Sequence, residues 1–160
     1  MTQFRIPDTK IEVRPIFVDI EKIKNATIKT DLHKKYPQFN KIILMASRLT
    51  KEKNIKLAIE LMPKFLKQEP KTGLIIVGSG PEEKKLKAKS AKLKDRIIFE
   101  PWSNDLSSYY KTADLFLNTS WYEGYGMTLV EARAAGCPVL STDVGVAREV
   151  GAKIISETIL

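Results

Sequence analysis

Leu115-Phe-Leu-Asn118-Thr-Ser-Trp121-Tyr-Glu123-Gly-Tyr-Gly126-Met-Thr-Leu-Val-Glu131-Ala132 decides how this chain is read. Its first four residues are an apolar run of strand length. Met127 to Ala135 is rich in helix formers and stops at Gly136, with Pro138 beyond it, as helix ends commonly do. A strand therefore feeds a helix through a glycine-bearing loop. Glu123 falls at the strand's carboxyl end and Glu131 inside the helix. Between them the helix N-terminus offers unpaired backbone N–H groups, which favour a bound anion. Carboxylates for hydroxyls beside amides for phosphate suit a sugar nucleotide.

The same alternation extends in both directions. Ile42 to Ala46, Leu74 to Val77, Arg96 to Phe99 and Pro138 to Ser141 are short apolar strands. Ile55, Ala58, Ile59, Met62, Phe65 and Leu66 recur at helical spacing after Asn54, read as the cap, with Pro63 a cost inside the helix. A basic helix follows Gly78-Ser-Gly-Pro81, and Asp105 to Thr112 reads as a short helix. Apolar strands separated by helices predict a doubly wound α/β domain, a parallel sheet covered on both faces, with ligands at the strands' carboxyl ends. Residues 1–40 lack this rhythm and read as a connector with a first strand near Ile11 to Pro15, Asp19 to Lys41 being polar turns. Residues 41–160 are the domain proper. Gly151 to Leu160 begins another strand and stops, so the expected domain is truncated at its C-terminus.

At 160 residues the chain can bury one core. No apolar run reaches the roughly 18 residues of a membrane span, and the N-terminus lacks the apolar stretch of a signal peptide. Cys137 is alone, so it forms no internal disulfide, and it reads as a small buried residue in a cytoplasmic protein. His33 is the only histidine, which rules out histidine-based metal sites. The net charge of +8 is concentrated in Lys84-Lys85-Leu86-Lys87-Ala88-Lys89 and on to Lys94. A solvated lysine face is the first reading and an anionic membrane surface the second. Nucleic acid is disfavoured, because no aromatics interleave the lysines and no binding motif accompanies them.

Arg48 and Lys53 belong to the loop after the first strand, where a guanidinium and an ammonium can clamp a diphosphate. Their alternative is two solvated charges paired with Glu52 or Glu60. Gly78-Ser-Gly-Pro81 lacks the third glycine of a dinucleotide fingerprint and the Gly-Lys-Ser/Thr of a Walker loop, so it reads as a tight turn with Pro81 at a helix start. Trp102 either walls a nucleobase or caps the sheet's edge.

Taken in order, these pieces resemble a known family. Arg48 and Lys53, the Val-Gly-Ser-Gly-Pro turn, Ala113-Asp-Leu-Phe-Leu, the Glu123 to Ala132 loop and Ala-Ala-Gly-Cys-Pro-Val-Leu-Ser-Thr-Asp-Val-Gly145 look like the nucleotide-sugar-binding domain of the family-4 (group 1) retaining glycosyltransferases. Those enzymes have the two-domain GT-B architecture, and the resemblance runs from about Ile11 to Ile155. It implies transfer of a hexose from a nucleoside-diphosphate sugar to a glycan or lipid hydroxyl. It also implies that Arg48 and Lys53 neutralise the diphosphate, Glu123 faces the donor sugar and Glu131 holds the ribose. Amides of Gly126, Met127, Thr128 and Leu129 meet the phosphates, and Gly78, Trp102, Gly124 and Tyr125 complete the donor site. No bound metal or other cofactor is implied, since side-chain cations and the helix terminus take the leaving-group charge. Two residues depart from the pattern: Tyr125 replaces the usual Phe, and Gly145-Val146 replaces a Gly-Gly pair. The amino-terminal acceptor domain is not in the sequence, so a partner chain or missing domain is expected, and the isolated chain is expected to be inactive. The rival reading is a non-catalytic nucleotide-sugar-binding or scaffolding module.

Overall fold

The computed structural model describes residues 16–155. Two short helices, α1 (Ile20–Asn25) and α2 (Leu32–Lys35), precede β1 (Lys41–Ala46). Then follow α3 (Ile55–Gln68), β2 (Thr72–Val77), α4 (Glu83–Lys89), β3 (Ile97–Glu100), α5 (Leu106–Thr112), β4 (Leu115–Asn118), α6 (Met127–Ala134), β5 (Val139–Ser141) and β6 (Lys153–Ile154). The six strands form one sheet, all parallel, in the order β3-β2-β1-β4-β5-β6. The predicted doubly wound sheet is therefore present. Its topological switch point lies between β1 and β4, the place where such sheets hold ligands.

Strand alternation splits the core between the two faces. Ile42, Leu44, Ala46, Ile75, Val77 and Phe116 face α5 and α6, packing on Tyr109, Tyr110, Leu129 and Ala132. Ile43, Met45, Leu74, Ile76, Leu117 and Leu140 face α3 and α4, packing on Ile55, Ala58, Ile59, Met62 and Leu86. Cys137 is buried beside Ala113, to whose carbonyl its thiol donates at 3.6 Å, and burial pushes that thiol up to about 12. It is the small core residue the sequence suggested.

Several local readings change. Asp19 to Lys41 holds two helices rather than polar turns. Asp19 Oδ1 accepts from Lys22 N at 2.9 Å, and Asp31 Oδ1 accepts from His33 N at 3.0 Å and Lys34 N at 3.2 Å, so each aspartate caps its helix. This segment is docked on the domain: Leu32 is fully buried, and Lys29 N and Leu32 N donate to Ser108 Oγ and Thr112 Oγ1. Asn54 makes no side-chain cap and takes a left-handed turn (φ 45°) ahead of α3. Pro63 is tolerated within α3, where it lies on the exposed side. The helix expected from Pro81 begins two residues later, at Glu83. The strand expected near Ile11 to Pro15 and the residues after Ile155 lie outside the described residues.

The lysine-rich helix α4 is exposed and laced with ion pairs. Lys85 lies 3.4 Å from Glu82, Lys87 2.7 Å from Glu83, and Lys89 2.9 Å from Glu60. That is the geometry of a solvated face, where such pairs each contribute at most about 1 kcal/mol. Among the described residues no helix is long and apolar enough to cross a membrane.

A second charged cluster ties the early helices to the sheet. Glu100, at the end of β3, accepts from Lys35 Nζ (2.6 Å), from Tyr109 Oη (2.8 Å) and, in a short contact, from Tyr36 Oη. Burial opposes the charge on Glu100, but these three donors win and hold its carboxyl below the usual range. Burial and the same carboxylate push the Tyr36 phenol up to about 12.

Candidate functional site

The loops after β1 and β4 meet above the switch point, and hydrogen bonds weld them together. Trp121 N donates to Glu52 O at 2.9 Å, and Thr119 Oγ1 lies within donating distance of the Lys53 and Asn54 carbonyls. A 3-10 turn at Lys51–Lys53 presents Lys53 toward the second loop. Its Nζ sits 2.7 Å from Glu123 Oε1, and both side chains are only 14% exposed. Lys53 thus pairs with Glu123, seventy positions away, and not with Glu52 or Glu60.

Glu123 is held from behind as well. Ser120 Oγ lies 2.7 Å from both Glu123 Oε1 and Asn118 Oδ1. That Asn118 oxygen already receives Ser120 N–H at 3.3 Å, so the single hydroxyl proton is better used on the charged carboxylate. Asn118 Nδ2 in turn donates to Ser141 Oγ on β5 at 3.1 Å, and Thr142 Oγ1 donates to Ser120 O at 2.6 Å. Both fixed donors converge on Oε1. Oε2 has no partner among the described residues and stays available to a ligand hydroxyl. Lys53 has three N–H donors and commits one, which leaves two for an anion.

Two glycines make the packing possible. At Gly78 (φ +145°) an added Cβ would lie 1.9 Å from Ser47 O, so only glycine lets the turn after β2 pass under the loop that carries Arg48. At Gly145 (φ +51°) a Cβ would lie 2.2 Å from Tyr125 O and 3.1 Å from Glu123 Cβ. Val146 N donates to that same Tyr125 carbonyl at 2.9 Å. Gly145 and the Val146 backbone amide thus brace the glutamate loop from behind, and the valine side chain is not what does so.

A cleft of about 330 Å³ opens here, bounded by Ser47, Arg48, Lys53, Glu123, Tyr125 and the start of α6. Arg48 is exposed at its rim and makes no ion pair among the described residues. Among the described residues the amides of Met127 and Thr128 have no partner, as in the first turn of a helix. Leu129 N is different: it donates to Gly126 O at 2.9 Å, so the expected run of free amides ends at Thr128. Gly124 and Gly78 lie off the cleft wall; Gly78 acts by admitting the loop and does not touch this space.

Glu131 borders a second, larger cleft of about 870 Å³ along with Ser103, Asn104 and Leu106. Trp102, 53% exposed, and Met127 line both clefts and join them into one trough. Glu131 makes no pair with Arg133 among the described residues. Its Oε2 accepts from Tyr110 Oη at 3.0 Å.

Ser120, Asn118 and Tyr110 escape a reading of the sequence. Tyr110 lies on the apolar face of α5 and reads there as core, yet a buried tyrosine hydroxyl needs a partner, and that requirement was the available signal. Among the described residues no group of three histidine, cysteine, aspartate or glutamate side chains is placed to hold a metal ion.

Comparison with known proteins agrees with this geometry. The chain is 31% identical over 144 residues to alpha-monoglucosyldiacylglycerol synthase of Streptococcus pneumoniae, covering 82% of this chain and 33% of that enzyme. Among solved structures it is similar to WaaG, a glycosyltransferase involved in lipopolysaccharide biosynthesis (TM-score 0.74, 25% identity, 89% of this chain and 42% of WaaG). It is also similar to Anabaena HepE in complex with UDP and glucose (TM-score 0.70, 26% identity, 82% of this chain and 38% of HepE). The chain thus spans about a third of the length of the curated relative it matches. The sequence profile described as glycosyl transferases group 1 matches residues 29–153, and the chain, with its GT-B-type α/β domain, belongs to that family.

Proposed function

We propose that this chain is the donor-binding domain of a retaining hexosyltransferase that uses a nucleoside-diphosphate sugar and transfers its hexose to a glycan or lipid hydroxyl. One observation carries the reading: Lys53, Glu123 and the free amides of Met127 and Thr128 converge on a single cleft with Arg48 at its rim. In this reading the diphosphate lies between the two cations and the α6 N-terminus. Those groups stabilise the negative charge that grows on the departing phosphate, and they do so already oriented. Glu123, its Oε1 locked by Lys53 and Ser120, offers Oε2 to a hydroxyl of the donor sugar. Glu131 holds the ribose in the larger cleft, and Trp102 flanks the base. The chemistry draws on the protein's own cations and amides, with no metal. The hydroxyl acceptor comes from a further domain or partner chain, because transfer needs donor and acceptor held together in one oriented cleft. Residues 1–40 connect to that domain, and the reaction takes place on the cytoplasmic side, with the membrane surface as one source of acceptor. HepE was solved with UDP and glucose, which supports this choice of donor class.

Calorimetry with UDP, GDP and ADP, in chelator, tests the reading. Losing one charged hydrogen-bond donor costs about 1.5–3 kcal/mol, so Arg48→Ala weakens binding at least about tenfold. Arg48 makes no ion pair or side-chain hydrogen bond among the described residues, so the thermal midpoint of the variant is expected to stay close to the wild-type value. Equal affinity of wild type and variant would remove the clamp, and binding abolished by chelator would remove the metal-free claim.

A further inference from the structure

Tyr110 is 1% exposed, on α5, with its ring edge-on to Phe116 of β4 at a centroid distance of 5.3 Å and an interplanar angle of 78°. The ring is fixed by core packing, so its hydroxyl is fixed too. That hydroxyl donates to Glu131 Oε2 at 3.0 Å and has no other partner among the described residues. Glu131 stands on α6, where an unrestrained glutamate samples many rotamers. Here one oxygen is anchored, on a residue that lines the larger cleft together with Tyr110. Burial and the adjacent carboxylate hold the phenol well above its ordinary range, so it is a protonated donor at neutral pH.

We propose that Tyr110 is a positioning residue: its buried hydroxyl fixes the Glu131 carboxylate in the one rotamer that can accept from a ribose, and so sets the preference for ribonucleotides. The inference rests on the reading of Glu131 as the ribose-holding group. In this reading Tyr110 works through Glu131. It acts by preorganisation, removing from the binding step the cost of ordering a charged side chain.

The test is calorimetry on the intact chain with UDP, GDP and ADP and their 2′-deoxy counterparts, for wild type, Tyr110→Phe, Glu131→Gln and the double variant. The phenylalanine keeps the ring and its contact with Phe116 and removes only the donor. Wild type is expected to prefer the ribonucleotide. Tyr110→Phe is expected to weaken ribonucleotide binding about three- to tenfold, the cost of ordering one free side chain on binding, and to leave deoxyribonucleotide binding within about twofold. The double variant is expected to bind no worse than Glu131→Gln alone, since both substitutions remove the same interaction. Equal losses for both nucleotide types, or an unchanged ribose preference, would show that Tyr110 only packs. In that case the loss of ribose preference in Glu131→Gln would still stand for the donor reading. A wild-type chain that binds none of the diphosphates would overturn the donor reading and this inference together.

Discussion

Lys53→Met is the substitution whose cost the structure defines best. It removes the ammonium 2.7 Å from Glu123 Oε1 at a site where both side chains are 14% exposed. Methionine has a similar length and keeps the packing of the stem, so the change is mainly electrostatic. Breaking a fully buried pair by removing one partner costs about 3–5 kcal/mol, because a charge is left uncompensated. A single charged hydrogen bond contributes about 1.5–3 kcal/mol. Glu123 keeps the Ser120 hydroxyl and some contact with water, which places the expected loss near 2–3 kcal/mol, between those limits. For a chain of this length that lowers the thermal midpoint by about 4–12 °C. Neutralising the stranded charge should restore part of the loss. Lys53→Met/Glu123→Gln is expected to melt above Lys53→Met by at least the equivalent of about 1 kcal/mol, the signature of direct coupling. Calorimetric melts of the four proteins at neutral pH and fixed salt complete the cycle. If Lys53→Met melts within about 1 °C of wild type, or the double variant shows the plain sum of the single losses, the pair contributes nothing and the argument from burial fails.

Gly78→Ala is expected to destabilise strongly, by about 3 kcal/mol or more, because its Cβ would meet a backbone oxygen at 1.9 Å that cannot rotate away; a soluble variant with an unchanged urea midpoint would contradict this. Glu100 has a depressed carboxyl pKa in the fold, so its contribution is present above the unfolded value near 4.3 and is lost as pH falls through the folded one. Urea midpoints of wild type should accordingly drop between about pH 5 and pH 3 more steeply than those of Glu100→Gln, and parallel curves would refute the cluster's role. Tyr36 has the opposite sign: its phenol is raised to about 12, so its stabilisation is present below about pH 10 and fades toward 12, a limb that Tyr36→Phe should flatten. Cys137, buried and pushed up to about 12, should resist thiol reagents in the native protein and react on unfolding; prompt native labelling would place it at the surface.

The sheet was legible because its strands are buried on both faces, and a run such as Ile42 to Ala46 has few other uses in a chain of this size. The glutamate loop was legible because strand, glycines and helix follow each other without a gap. Asn54 holds the cap position of α3 as expected, but in a left-handed conformation in which its side chain makes no capping bond, since Asn serves helix caps and left-handed turns alike. Helices α1 and α2 were too short to show periodicity, and what orders them is long-range: Lys29 and Leu32 bonded to α5 some eighty residues away. The same limit applies at the site. Lys53 has Glu52 and Glu60 close in sequence, and only the joining of two loops selects Glu123. Tyr110 shows another limit: nothing in a short helical segment tells which buried hydroxyl will find a carboxylate on a neighbouring helix.

The pairing of β1 with β4 has a consequence for how the molecule comes to exist. β1, β2 and β3 can assemble from neighbouring segments, but the cleft closes only when β4 returns to the free side of β1, bringing Glu123 to Lys53 across a separation of seventy residues. Closing so large a loop is the slow, entropically costly part of making a parallel sheet. A chain emerging from the ribosome would therefore carry half of its clefts' walls long before it could bind anything, and binding competence would mark the completion of folding. Any ligand that bridges the two loops holds that last-formed seam shut and stabilises the whole domain by mass action. Amide protons of β1 and β4 should then exchange more slowly with nucleotide present, while those at the β2–β3 edge change least.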